Sequence, residues 1–405
     1  MSAYVRGMEQ TDIFISGGGV AGLTAAAAFG TAGFNVVIAD PAPPITDQSA
    51  EGADLRTTAF LQPARDLLAD AGLWPRLAPF AAPLQIMRIV DAGGAEPEPR
   101  VTRDFNAADI SDEPFGWNLS NWLLRREMVA RISELPNVNF RAGVGFASML
   151  TRTEQARVTL TDGGRIAARL VIGADGRDSP VRQAAGIGAK TTRYGQKAVT
   201  FAVTHPAPHD NVSTEVHRSG GPFTLVPLPD HDGQPCSAVV WMENGPEAAR
   251  LAALPEADFN AEATRRSAGT YGPLTLVSRR MVWPIISQIA DHMTAERTAL
   301  MAEAAHVVPP IGAQGLNMSL ADLACLLDLS KAAPDTLGDA KMLAAYHRRR
   351  HPEVQLRVTG VDLLNRASQA ENPLLRDLRA KGVEALYGLG PLRKTLMRMG
   401  LGAKG

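Results

Sequence analysis

Two short apolar runs open the chain. Asp12-Ile-Phe-Ile-Ser16 and Asn35-Val-Val-Ile-Ala39 are non-polar in their interiors and rich in β-branched residues. Runs of that length predict strands covered on both faces, the pattern of a parallel sheet. Between them lie a glycine turn, Gly17 to Gly22, and an alanine-rich stretch, Leu23 to Thr31, that predicts a helix. Ala64 to Ala71 predicts a helix ended by Gly72. Asn121 to Leu135 predicts another, with Leu124, Met128 and Ile132 on one stripe. Asn139 to Leu160 alternates in the manner of hairpin strands, and Thr161-Asp-Gly-Gly164 is a turn signal. Arg169 to Gly173 is a further buried strand, running into Ala174-Asp175-Gly176.

From Lys190 to Trp283 the texture changes. Short alternating segments (Ala198 to Thr204, Thr224 to Leu228, Ser237 to Met242) are separated by Pro, Gly and His-Asp clusters, which predicts an antiparallel sheet inserted into an α/β body. After Thr298 the chain predicts a strand, a Pro/Gly loop and a helix from Ser319 to Leu329, and the remainder from Lys341 is helical and basic towards its end.

Composition narrows the class. With 405 residues, 45% of them hydrophobic, and a formal net charge of −1, the chain is long enough for two domains or one large domain with an excursion, and too apolar for disorder. A nucleic-acid binder would carry a basic stripe, so none is expected. Cys236 and Cys325 make no CxxC and no disulfide framework, and the histidines lack ligand spacing, so no metal site is expected and the compartment is a reducing cytoplasm. A polar first ten residues and the lack of any long uncharged apolar run predict neither a secretory leader nor a membrane span.

The glycine turn carries the first chemistry. Gly17, Gly19 and Gly22 satisfy GxGxxG between a strand and a helix, with Asp40 18 residues beyond Gly22. The first glycine permits a tight turn, the second lets backbone N–H groups reach a pyrophosphate, and the third lets helix pack on strand. Val20 and Ala21 belong to the turn ahead of the helix, whose N-terminus favours negative charge. Asp40 is placed to accept hydrogen bonds from a ribose. The motif alone does not choose between dinucleotides.

Two more motifs follow. Val171-Ile-Gly-Ala-Asp-Gly-Arg-Asp-Ser-Pro-Val-Arg182 contains GADGxxSxxR, and Ala302 to Asp322 reads A-E-A-A-H-V-V-P-P-I-G-A-Q-G-L-N-M-S-L-A-D. In this order the three resemble the class A flavoprotein aromatic hydroxylases, the para-hydroxybenzoate hydroxylase-like group. Ala305 to Asp322, Asp54-Leu-Arg-Thr-Thr-Ala59 and Asn121-Trp-Leu-Leu-Arg-Arg126 resemble more narrowly the hydroxylases of ubiquinone biosynthesis. The resemblance implies an α/β fold: a Rossmann-type FAD-binding domain in three pieces (9–79, 115–189, 284–350), an inserted antiparallel-sheet substrate domain (80–114, 190–283) and a helical C-terminal region (351–405). It implies FAD as cofactor, NAD(P)H or a reductase partner as electron donor, and a polyprenylated phenol and O2 as substrates, with ring hydroxylation through a flavin C4a-hydroperoxide. No catalytic acid or base stands out, because the hard chemistry belongs to the cofactor.

The resemblance also assigns roles. Asp175 touches FAD and the passing nicotinamide cofactor. Arg56 and Arg125, or Arg126 in its place, reach the ribityl chain and phosphates. Pro310, Gly312, Gly315, Leu316 and Asn317 lie along the flavin edge, with N–H groups near Gly315 to Asn317 donating at the start of the helix. Two places depart from the family: its Gly-Asp dipeptide is Ala302-Glu303 here, so Glu303 keeps the charge at a longer reach, and Asp40 stands where related FAD enzymes usually have Glu. His306 reads as a satisfied core histidine. Two other functions stay open, an FAD hydroxylase of a soluble aromatic metabolite and a non-catalytic scaffold in a quinone-biosynthesis complex. Finally, residues 376–405 hold seven basic and two acidic residues among leucines and methionines, a pattern for peripheral contact with the inner face of a membrane, against which stands a helix packed on the body.

Overall fold

The computed structural model describes residues 8–93, 98–218 and 220–369, with Lys394 and Met397 beyond them. The basic segment 376–405 lies outside the described residues apart from those two.

Five parallel strands form the centre. In spatial order they are Thr298–Leu300, Arg165–Gly173, Glu9–Ser16, Val36–Asp40 and Val138–Ala142. Their interiors are fully covered: Ile13, Phe14, Ile15, Ile38 and Ile172 are all 0% exposed. The helix Val20–Thr31 lies between the first two strands in sequence, burying Ala25 to Phe29, and the small alanines allow close approach to the sheet and to the helix Asn121–Ser133. This much matches the expected α/β body.

One expectation is corrected. Val138–Ala142 is not an arm of a hairpin with the strand after it; it pairs in parallel with Val36–Asp40, Val36 against Val138. Alternation announces a strand but not its partner, and the preceding helix returns the chain in the parallel sense. The hairpin is Phe146–Thr151 with Ala156–Leu160, which pairs onward to Arg165–Gly173 through the turn at Asp162-Gly163.

The second sheet has nine strands. Ala189–Thr204, Gln234–Asn244, Pro222–His231 and Val212–His217 run antiparallel through its middle. Ile86–Asp91 then adds in parallel to Val212–His217, with Val101–Asn106 at the edge. At the other side Met281–Ala290 carries the sheet past residue 283 and pairs with His306–Val307. That pairing ties the inserted sheet to the loop of the third motif. The long helix Ala340–Ser368 closes the described chain and continues through Pro352.

Candidate functional site

Register decides where the motifs meet. Ser16 stands opposite Gly173 and opposite Ala39, and Gly173 opposite Leu300. Four adjacent parallel strands therefore end level with one another. The glycine turn, Asp40, the Asp175 turn and the Ala302 loop all emerge at that one edge, where ligands of open α/β sheets bind.

A continuous cavity of about 790 Å³ starts there and runs under the nine-stranded sheet. Gly17, Gly19, Val20, Ala21, Asp40, Arg56, Arg125, Asp175, Glu303, Pro310, Gly312, Gly315 and Leu316 all line it. Gly22 and Asn317 do not, and each has a structural task. A Cβ on Gly22 would lie 1.9 Å from the Gly17 carbonyl oxygen, so this glycine packs helix on turn. Asn317 donates from Nδ2 to the Ala59 carbonyl at 2.8 Å and accepts from the Leu61 N–H at 2.9 Å. It staples the third motif to the strand Thr57–Leu61.

Gly17 has φ +111° and abuts Ala174. Gly19 is different: it is extended, caps the helix, and a Cβ there would meet nothing within 4 Å. The space it leaves open belongs to the cavity. The first N–H groups of that helix have no intrahelical partner, which suits an anionic group.

The helix of the third motif starts earlier than the sequence suggests, at Gln314 rather than Ser319, with Ala313 in a left-handed conformation as its cap (φ 55°). Gly315 and Asn317 disguise the first turn because both are weak helix formers. The unpaired N–H groups are consequently those of Gln314, Gly315 and Leu316, whereas the N–H of Asn317 falls inside the helical ladder.

Most acids here are already engaged. Asp40 accepts from the N–H groups of Gly18 (2.5 Å) and Ala42 (2.8 Å). Asp175 accepts from Ser16, Ser179 and the Val181 N–H, capping the short helix that follows. Burial raises its pKa above the ordinary carboxylate value against those bonds. Asp54, 5% exposed, is gripped by both Arg56 nitrogens (2.7 and 2.8 Å) and by Asn121 (3.0 Å), with Arg125 at 3.6 Å. Burial pushes Asp54 up, but Arg56, Asn121 and Arg125 together outweigh it and hold the carboxyl below its usual value. Arg56 also sits 4.0 Å above the Trp283 ring, tying the segment before the strand Thr57–Leu61 to the nine-stranded sheet. Arg126 instead pairs with Glu127 and faces Phe80 and Trp122, away from the cavity.

Sequence reasoning missed a buried polar chain. His306 Nε2 meets Asp322 Oδ2 at 2.6 Å and Arg350 Nε meets Asp322 Oδ1 at 2.9 Å, with Asp322 0% exposed. Arg350 and Arg357 share Glu353, and Arg357 reaches Gln314 Oε1 at 2.8 Å. His306 is thus satisfied, as expected, yet it lines the cavity as well. Asp322 and Arg350 lie on different helices 28 residues apart, a pairing no local spacing announces.

Beside the main cavity lies a polar one of about 480 Å³, lined by Arg177, Arg182, Arg193, Thr191 and Gln288 among others; Arg177 and Ile286 line both. Among the described residues no group of His, Cys, Asp and Glu is arranged to hold a metal ion.

The Ala302 departure has a measurable cost. Ala302 adopts φ 56°, a conformation that costs a Cβ-bearing residue about 1–2 kcal/mol and glycine almost nothing. Ala302→Gly removes that strain and gives back about 0.5–1 kcal/mol through the looser unfolded chain. A net gain of about 0.5–1 kcal/mol is expected, seen as a higher urea midpoint.

Comparison with known proteins agrees with this geometry. Residues 10–360 match the family described as FAD binding domain. Ubiquinone hydroxylase UbiL of Rhodospirillum rubrum is 32% identical, the match covering 96% of this chain and 89% of that protein. The 3-demethoxyubiquinol 3-hydroxylase of Escherichia coli is 26% identical over 97% and 99% of the two chains. Among solved structures, p-nitrophenol 4-monooxygenase PnpA from Pseudomonas putida superposes with a TM-score of 0.78 at 18% identity, covering 98% of this chain and 100% of that one. PqsL of P. aeruginosa, in complex with 2-aminobenzoylacetate, gives 0.77 at 21% identity, covering 93% and 100%. Those two likenesses concern the fold. The chain belongs to the FAD-binding-domain family, among the class A flavoprotein monooxygenases that include the ubiquinone hydroxylases.

Proposed function

We propose that this flavoprotein hydroxylates the aromatic ring of a polyprenylated phenol in ubiquinone biosynthesis. One observation carries the reading: a nucleotide-sized cradle at the strand ends opens without a break into an apolar chamber beneath the second sheet. The names of the relatives, ubiquinone hydroxylase and 3-demethoxyubiquinol 3-hydroxylase, support the substrate class.

On this reading residues 9–79, 115–189 and 284–350 hold FAD, and 80–114 with 190–283 cover the substrate. Gly17, Gly19, Val20 and Ala21 receive the pyrophosphate, and Gly22 keeps their helix close. Asp40 offers its remaining lone pairs to a ribose. Arg56, Arg125 and Glu303 face the phosphates and ribityl chain, Asp175 shapes the turn beside them, and Pro310, Gly312, Gly315 and Leu316 lie along the ring edge, held by Asn317. Bound FAD supplies the activation of O2 for ring hydroxylation. The protein orients the ring and excludes water, because Leu61, Leu84, Met87, Phe115, Phe201 and Val226 line the far half, where a prenyl tail loses no polar contacts. Arg177 and Arg193 in the adjoining polar cavity suit the pyrophosphate of NAD(P)H.

The reading also places the protein against an anionic membrane surface, where such a substrate resides, in company with other enzymes of quinone synthesis. No helix among the described residues is long and apolar enough to cross a membrane. Leu356, Leu363 and Leu364 are 59–69% exposed on the last described helix, immediately before the basic segment, and such a combination suits peripheral attachment.

Three outcomes are expected. Cells lacking the gene accumulate a prenylated phenol short of one ring oxygen, identified by mass spectrometry; accumulation of a soluble aromatic compound instead sinks the substrate assignment. Gly19→Val purifies without flavin absorbance, yet its melting curve stays within about 1 kcal/mol of the wild-type apoprotein, since a Cβ there meets nothing within 4 Å and the cost left is that of a poorer cap. Vesicles containing anionic lipid co-sediment the protein, neutral vesicles do not, and changing the three leucines to serine lowers the bound fraction several-fold.

A further inference from the structure

The strand Val212–His217 crosses the roof of the cavity. Side chains alternate along it, so Ser213, Glu215 and His217 share one face, and Ser213 and Glu215 line the cavity. Of the ionisable residues lining it, Glu215 stands alone in coming from the nine-stranded sheet's central strands; the aspartates and arginines belong to the cradle end. Its row across the sheet runs Thr224, Val240, Thr200, two hydroxyls around a valine. On its other side lies Ile89, with Arg103 beyond on the edge strand. Met87, opposite Ser213, begins the neighbouring apolar ground.

A carboxyl group on such a wall is costly unless it has partners. Glu215 has one: His217 Nε2 lies 2.7 Å from Oε1, both side chains being nearly buried at 14% and 13% exposure. His217 Nδ1 is buried with no hydrogen-bond partner among the described residues. The ring therefore faces the chain's interior with one nitrogen and spends the other on Glu215. That arrangement occupies Oε1 and leaves Oε2, on a residue that lines the chamber, to accept from whatever fills it.

We propose that Glu215, oriented by His217, accepts the hydrogen bond of the substrate's ring hydroxyl and so selects a free phenol over its ether. This rests on the phenol substrate class proposed above. A hydrogen bond to a charged acceptor in a dry site is worth roughly 10- to 100-fold in affinity. In Glu215→Gln the Nε2–H of His217 claims the amide oxygen, and the –NH2 that then faces the chamber cannot accept.

The test uses the FAD-loaded enzyme and two ligand pairs: a geranyl-substituted phenol with its methyl ether, and an unsubstituted phenol with its methyl ether. Binding is read from the change in flavin absorbance. Wild type is expected to prefer phenol over ether by about 10-fold or more, Glu215→Gln and Glu215→Leu to abolish that preference while still binding the ether, and His217→Gln to reduce it several-fold. Because ether binding reports an intact chamber, a misfolded variant is recognised at once, and either substitution alone decides. A preference that survives in either Glu215 variant that still binds the ether, or no preference in wild type, overturns the assignment. If only the unsubstituted pair binds wild type, the prenyl reading fails, while the same comparison on that pair still judges Glu215.

Discussion

The level ending of four parallel strands is the constraint on which the rest depends. Backbone hydrogen bonds hold Ser16, Ala39, Gly173 and Leu300 side by side, and a slip of one residue would exchange the side chains fitted to one packed face of the sheet for those fitted to the other. The register is thus enforced by the core: Ile13, Ile15, Ile38 and Ile172 have nowhere else to go. Three motifs separated by well over a hundred residues become neighbours because burial of aliphatic side chains leaves the strands a single alignment.

Around that edge the polar side chains mostly serve the protein. Asp40 pins the glycine turn, Asp175 caps a helix and grips Ser16, Asn317 staples a loop to a strand, and Asp54 gathers Arg56, Asn121 and Arg125. What is left facing the cavity at that edge is mostly glycine and small or apolar side chains, among them Val20, Ala21, Pro310 and Leu316. A site made in this way is shaped before any ligand arrives, so little ordering is left to be done on binding. Such pre-arrangement also explains why so few residues present themselves as catalytic: the fixed groups hold shape rather than move protons.

Much of this was legible in the sequence, for a physical reason. Short runs such as Asp12 to Ser16 and the glycines of the first turn report local requirements, burial on two faces and close backbone approach, which a single segment displays. The partner of Val138–Ala142 and the start of the helix at Gln314 were not legible, because each is decided by something distant: the strand Val36–Asp40 in one case, the anchoring of Asn317 to Ala59 and Leu61 in the other. Glu215 was silent for the same reason. Within its own strand it is one more polar position in an alternating pattern, and only the assembled sheet sets it over a chamber. Arg125 and Arg126 are adjacent in sequence and equivalent in chemistry; the helix face separates them.

The Asp322 carboxylate has a consequence for how the protein can be divided. It is shared between His306, under the cavity, and Arg350, on the last described helix, while Tyr346 of that helix donates to the Leu300 carbonyl at 2.8 Å. A fragment cut before residue 346 would leave the buried Asp322 carboxyl with His306 alone of these two partners, at a cost of about 3–5 kcal/mol for a buried ion pair that loses one partner, and would loosen the very strand end from which the third motif departs. The helix Ala340–Ser368 is therefore a keystone rather than an appendage. No shortened piece of this polypeptide that stops at the nucleotide cradle can be expected to stand by itself.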